Sequence, residues 1–294
     1  MPEQGRTLGA QQQLAQADGP AHGQLSQTAC GPAAAIRGCG RDEEVKARPV
    51  PSAARGWGVA TAPTSEPNRY VHPDPERLAA WRRVYERYRV VEDVYPGLAA
   101  RFEDHGVTRF AELGGGRGPI AALLGGRGVG TVVVDLDPEM LAEAHRPALR
   151  ADIRLLPFAD RTFDGLAAVN CLYFLDEPVG GIAEARRVLR PGGVFVASSP
   201  SRYNDPELEC IDPRWGTPSS FDAEDAPELV AAAFGAVEVD AYELVGYRLP
   251  DTGAIGDYLH AFNVQDWEAK AAGLIAPMTI TKRGAQVWAT RRPE

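Results

Sequence analysis

The stretch Glu112-Leu113-Gly114-Gly115-Gly116-Arg117-Gly118-Pro119 sets Gly114, Gly116 and Gly118 two residues apart, between an apolar run and a helical one. Glycines in a strand-to-helix turn let the backbone bend tightly and let a ligand approach it. A dinucleotide fingerprint needs glycines at its first, third and sixth positions, and here the sixth is Pro119. Glu112, just before the loop, would repel an anionic diphosphate and attract an ammonium or a sulfonium. By itself the loop is weak evidence, since any tight turn of this kind needs glycine. Twenty-one residues beyond Gly114, the run Val132-Val133-Val134 ends in Asp135. A carboxylate at the carboxyl end of a second strand can accept from both hydroxyls of a ribose. Loop and acid together predict a nucleoside cofactor. Asp137, followed by Pro138, reads as a helix cap.

The elements that must position these residues alternate along the chain. Strands are predicted at 107–113, 131–135, 163–169 and 194–198, with helices at 119–124, 138–144 and 180–189, and two late strands at 237–242 and 285–290. Such alternation predicts a doubly wound, mostly parallel sheet. Upstream, Asp74 can cap a helix that carries Pro75 in its first turn. Trp81, Val84, Tyr88, Val91 and Tyr95 then recur at spacings of three and four, one apolar face that Pro96-Gly97 should end. A second helix over 98–105 should close at Gly106.

Residues 107–200 resemble the class I S-adenosylmethionine-dependent methyltransferases, in particular the ubiquinone/menaquinone-biosynthesis type. Four motifs occur in that family's order. Its E/D-x-G-x-G-x-G loop matches Glu112–Gly118, and its second-strand acid matches Asp135, with Asp137-Pro138-Glu139-Met140-Leu141 following. Its Asp…Leu-Pro-Phe-x-Asp-x-x-Phe-Asp segment appears as Asp152, then Leu156-Pro157-Phe158-Ala159-Asp160-Arg161-Thr162-Phe163-Asp164. Its Leu-x-Pro-Gly-Gly turn appears as Leu189-Arg190-Pro191-Gly192-Gly193. Gly115 stands where many members carry cysteine, a change that a backbone-lined loop tolerates.

The resemblance implies a Rossmann-like, doubly wound seven-stranded sheet with an antiparallel last strand, plus N-terminal and inserted cap helices. It implies S-adenosyl-L-methionine as cofactor, and a methyl transfer to a small-molecule acceptor by in-line displacement. Gly114, Gly116 and Gly118 would form the loop against the methionyl part, with Glu112 near its ammonium. Asp135 would hold the ribose hydroxyls while Leu136 packs on adenine. Asp152 would accept from the adenine amino group, the Ile153 backbone would meet the ring, and Asn170 would sit beside the reactive methyl. Asp160 and Asp164 read as turn chemistry.

A base is needed only if the acceptor loses a proton as it attacks. The candidates are His260, Tyr173 and Tyr203. Trp267, Tyr258 and Phe262 could line an acceptor pocket or form a small core within an inserted helical segment at 252–273. Enzymes that methylate exocyclic amines of nucleic acids often carry Asn/Asp-Pro-Pro-aromatic at the fourth strand. Here Asn170-Cys171-Leu172-Tyr173 lacks both prolines.

Charge points the same way. The 294 residues hold 31 basic and 40 acidic side chains, a net −9. Residues 1–69 hold seven basic and six acidic groups, so the remainder carries −10 and has no general attraction for a phosphate backbone. Residues 1–70 have one aromatic before Tyr70 and read as a disordered tail, leaving 71–294 as the domain, with cap helices at 74–105 and 252–273. Cys30, Cys39, Cys171 and Cys210 fit no metal spacing and are too few for a disulfide scaffold, so no metal is expected. No signal peptide or membrane span is evident, and a cytoplasmic location is expected. An RNA methyltransferase, a non-catalytic cofactor-binding module and an NAD oxidoreductase are the competing readings.

Overall fold

The computed structural model describes residues 75–293. The expected tail, the Asp74 cap, Cys30 and Cys39 lie outside the described residues. Seven strands form one sheet: β1 (Arg109–Leu113), β2 (Gly130–Asp135), β3 (Ala148–Arg150), β4 (Phe163–Val169), β5 (Leu189–Pro200), β6 (Val237–Leu249) and β7 (Met278–Thr290). Their order is β3-β2-β1-β4-β5-β7-β6. β1 to β5 pair in parallel, and β7 runs antiparallel to both β5 and β6. This is the Rossmann-like, doubly wound sheet that the sequence predicts.

Eight helices accompany it among the described residues: α1 (Pro75–Arg87), α2 (Tyr95–Asp104), α3 (Pro119–Gly125), α4 (Pro138–Ala142), α5 (Pro178–Val188), α6 (Ala226–Phe234), α7 (Thr252–Ala261) and α8 (Trp267–Ala272). Successive strand residues face opposite sides, so strands covered on both faces read as unbroken apolar runs. Leu113, Val134, Leu166 and Phe195 pack with α5 and α6 on one side. Phe110, Val133, Ala167 and Val196 pack with α2 and α3 on the other. Asp164 departs from the expected turn chemistry: it lies within β4, and its carboxylate accepts from the backbone N–H groups of Thr108 (2.9 Å) and Arg109 (2.7 Å), tying β4 to the entrance of β1.

The N-terminal region departs from expectation. The apolar face from Trp81 to Tyr95 is not one helix, because α1 ends at Arg87. Residues 88–90 instead extend along β6: Val90 N donates to Gly246 O and Arg248 N donates to Tyr88 O, both at 2.9 Å. An open sheet edge offers unpaired backbone groups, and this segment takes them. Pro96 lies in the first turn of α2, where its missing N–H costs nothing, so Pro96-Gly97 opens a helix here and does not end one.

The late strands are also longer than 237–242 and 285–290. Residues 243–249 and 278–283 pair with each other beyond the end of β5, whose last partner is Gly284 opposite Pro200. Tyr247, Leu249 and Ile280 on this extension pack with Val84 of α1 and Ile255, Tyr258 and Leu259 of α7. A polar knot lies in the same cap. Asp205 accepts from Tyr258 Oη (2.9 Å) and Lys282 Nζ (2.7 Å), and the ammonium also donates to Tyr258 Oη (2.8 Å).

Candidate active site

The carboxyl ends of β1, β2 and β4 enclose a cavity of about 180 Å³. Sequence reading named nine cofactor residues, and all but Glu112 and Gly118 line this cavity. The loop after β1 reaches it through left-handed backbone. Gly114 and Gly118 have φ of +58° and +74°, and a Cβ would lie 2.5 Å from Cys171 Cβ or 2.2 Å from Val133 Cγ2 respectively. The fold itself therefore demands glycine at both. Gly116 differs: a Cβ there would meet only Met140 Sδ, at 3.9 Å, so the space above it is open to the cavity.

Asp135, at the end of β2, accepts from Gly116 N (2.8 Å) and Asp137 N (2.9 Å). Burial pushes its carboxyl upward, while those backbone donors pull it down. With about four acceptor sites on a carboxylate, two backbone bonds leave capacity for a ligand diol. Asp137 caps α4 as expected, accepting from Glu139 N at 2.8 Å. Asp152 is buried at the cavity rim and is gripped by Arg154, with Nη2 to Oδ2 at 2.7 Å. Leu136, Ile153 and Leu175 line the same cavity, as does the half-exposed Phe174.

Glu112 sits beneath the loop. Its Oε2 accepts from Ala121 N at 2.7 Å, joining β1 to the first turn of α3. Burial pushes its carboxyl up to about 8, against the opposing pull of the Ala121 and Ile120 backbone donors. Asn170 ends β4 with φ of +53°, its N–H held by Ser198 O at 2.9 Å and its side chain exposed.

The candidate bases do not line this cavity. Tyr173 packs against Phe174, with ring centroids 4.6 Å apart, and Tyr203 against Trp215 at 5.2 Å. His260 stacks on Trp267 in the cap, 4.8 Å apart with planes 2° from parallel. Tyr258, Phe262 and Trp267 belong to the cap core, which decides between the two readings of the inserted segment. Sequence reasoning missed Cys171, Phe174 and Leu175 as cavity residues, although all three directly follow β4, where such folds place ligands.

A second, larger groove of about 750 Å³ opens between the segment joining α1 to α2 and Gln286 of β7. Arg89 and Asp93 line it, paired at 2.7 Å, and Arg89 also donates to Tyr85 Oη at 2.7 Å. The Tyr95 phenol, packed against the core beneath α2 and α3, is pushed upward by burial and then by the charges of Glu112 and Asp93. Its signal was hidden because 88–95 reads as a helix face. Cys171 and Cys210 are unpaired thiols. Among the described residues, no group of three or more His, Cys, Asp or Glu is placed to hold a metal ion, and no helix is long and apolar enough to cross a membrane.

Open backbone at Gly116, the carboxylates of Asp135 and Asp152 and several apolar side chains thus line one cavity. Residues 111–197 match the methyltransferase-domain family. An uncharacterized methyltransferase of Mycobacterium marinum is 36% identical over 141 residues, 44% of this chain and 52% of that protein. A ubiquinone/menaquinone biosynthesis C-methyltransferase of Nitrobacter hamburgensis is 27% identical over 225 residues, 67% of this chain and 87% of that one. The chain thus spans about half the length of the mycobacterial relative. Among solved structures, the YcgJ protein of Bacillus subtilis aligns with TM-score 0.52 and 17% identity, covering 68% of this chain and 98% of that one. The [4+2]-cyclase SpnF aligns with TM-score 0.53 and 19% identity, covering 81% and 99%. The last two likenesses establish the fold alone.

Residues 111–197 are thus similar to a methyltransferase domain, set within a Rossmann-like sheet. Its sequence relatives include the ubiquinone/menaquinone-biosynthesis type.

Proposed function

We propose that the protein moves a methyl group from S-adenosylmethionine to a small-molecule acceptor. The observation that carries this reading is one cavity lined by both Asp135 and Asp152, with open space above Gly116. Asp135 would accept from the ribose hydroxyls and Asp152 from the adenine amino group, with Leu136 and Ile153 against the base. Gly114 and Gly116 would give the tail access to backbone. Glu112 holds the loop from below through Ala121; burial favours its neutral form, so its part is to support the loop and not to present a charge to an ammonium. When bound, the cofactor supplies a methyl on a sulfonium, which the acceptor takes by in-line displacement.

The chain's own part is alignment. Proximity and orientation can supply on the order of 7–11 kcal/mol without any covalent step. Asn170 offers an exposed amide at the cavity rim, where it can orient an acceptor. The 750 Å³ groove is the acceptor's place in this reading, since Gln286 lies opposite Ser198, whose carbonyl holds Asn170. A proton-accepting role for His260 or Tyr173 gains no support from their positions.

Calorimetric titration with S-adenosylmethionine and with NAD tests the reading. Saturable S-adenosylmethionine binding is expected, and NAD binding in its place would make the chain an oxidoreductase. One second reading has a specific motive: a fold neighbour is a [4+2]-cyclase, so the fold does not dictate methyl transfer. Acceptor-dependent release of S-adenosylhomocysteine separates turnover from mere cofactor binding. An RNA acceptor would show binding that weakens steeply with salt.

A further inference from the structure

Three carboxylates stand at this edge of the sheet, and they are held differently. Glu112 and Asp135 accept only from backbone N–H groups, and both are pushed toward the neutral form by burial. Asp152 has a guanidinium on it. Arg154 Nε lies 3.1 Å from Oδ1 and 3.2 Å from Oδ2, Nη2 lies 2.7 Å from Oδ2, and the Arg154 backbone N–H donates to Oδ1 at 2.8 Å. The Asp152 side chain is 7% exposed and that of Arg154 is 32% exposed. A planar fork that engages both oxygens fixes the plane of the carboxylate as well as its charge.

We propose that Arg154 is a positioning residue that aims Asp152 at the amino group of adenine and so makes the site prefer adenine over a purine with a carbonyl at that place. The inference rests on the cofactor reading given above. An ionised carboxylate only accepts hydrogen bonds. It pairs with an exocyclic N–H₂ and repels a carbonyl oxygen in the same position. The Leu136 and Ile153 side chains offer the base apolar surface and cannot tell the two exocyclic groups apart, so discrimination at that position falls to Asp152. A carboxylate free to rotate would discriminate less, because its lone pairs would no longer be held toward the cavity rim. Arg154 thus acts through Asp152 without touching the ligand.

The test measures calorimetric affinities of the full chain for S-adenosylhomocysteine and for S-inosylhomocysteine, which carries the carbonyl. Arg154→Ala should weaken S-adenosylhomocysteine by about tenfold, the size of one charge-assisted hydrogen bond, and the inosine analogue by less than about twofold. The preference for adenine should therefore shrink by roughly fivefold or more. Arg154→Lys, which keeps the charge but not the fork, should recover only part of it. Arg154→Gln keeps most of the stem and serves where the alanine variant folds poorly, with unfolding of the unliganded protein as the control. Equal loss for both ligands would show a merely structural role, and no change for either would show no role; both overturn the proposal. If the unsubstituted protein binds neither ligand, the cofactor reading itself falls, and this inference with it.

Discussion

The cofactor edge and the cap are built on opposite plans. At the edge, the carboxyl ends of β1, β2 and β4 carry left-handed backbone at Gly114, Gly116, Gly118 and Asn170, and the space between them stays open. In the cap, Tyr247, Tyr258 and Phe262 close around Lys282, whose ammonium lies 4.4 Å from the Phe262 ring centre and bonds Asp205 and Tyr258. One region spends backbone strain to keep a cavity; the other fills its interior and satisfies its polar groups internally. Clusters rich in Tyr, His, Lys and Asp look like chemistry in a sequence, yet here they are the packed region. The reactive edge is mostly glycine, backbone and short acids.

Four substitutions would break or sharpen this contrast. The largest effect belongs to Lys282→Met, which leaves the buried Asp205 carboxylate without its cation and should cost about 3 kcal/mol of stability. Denaturant unfolding reads this, and affinity for S-adenosylhomocysteine should stay within about twofold, since Lys282 does not line the cofactor cavity. Asp135→Ala should do the reverse. Affinity should fall by about 2 kcal/mol, some thirtyfold, by calorimetry, while the unfolding midpoint moves little. If both substitutions affected both readouts, the two regions would not be independent.

Glu112 comes next. Its folded-state pKa, raised to about 8 from an ordinary 4.5, means that the native chain holds a proton that the unfolded chain releases. That contribution is fully present below pH 4.5 and is lost as pH rises toward 8, by on the order of 1 kcal/mol per pH unit. Glu112→Gln should flatten the decline in unfolding free energy between pH 5 and 8, and an unaltered slope would mean that the carboxyl is already ionised there. His260→Ala is smallest: it removes a stacking contact with Trp267, costs about 0.5–1 kcal/mol and leaves methyl transfer within about twofold. A large loss of turnover there would restore His260 as a catalytic residue.

Much of the fold was legible, for identifiable reasons. Strands β1, β2 and β4 are covered on both faces and so appear as apolar runs, while Pro119 and Pro138 mark helix starts. β3 has three residues, too few for any periodicity, and went unseen. The break in the Trp81–Tyr95 face was invisible because a segment with helical spacing is claimed by the β6 edge, a partner more than 150 residues away. The Asp152–Arg154 grip was equally hidden, since side-chain direction within a turn is not written in spacing.

The sequence by itself determined the likeness to a methyltransferase domain and seven residues that line one cavity, because glycine loops and strand-end acids are local requirements that recur at set spacings. Only the tertiary structure decided which aromatic cluster is core, placed the groove beside Gln286, and put Glu112 under the loop and not beside the cavity. Those outcomes depend on contacts between segments far apart in the chain, where packing and pairing between distant elements override what each segment prefers alone.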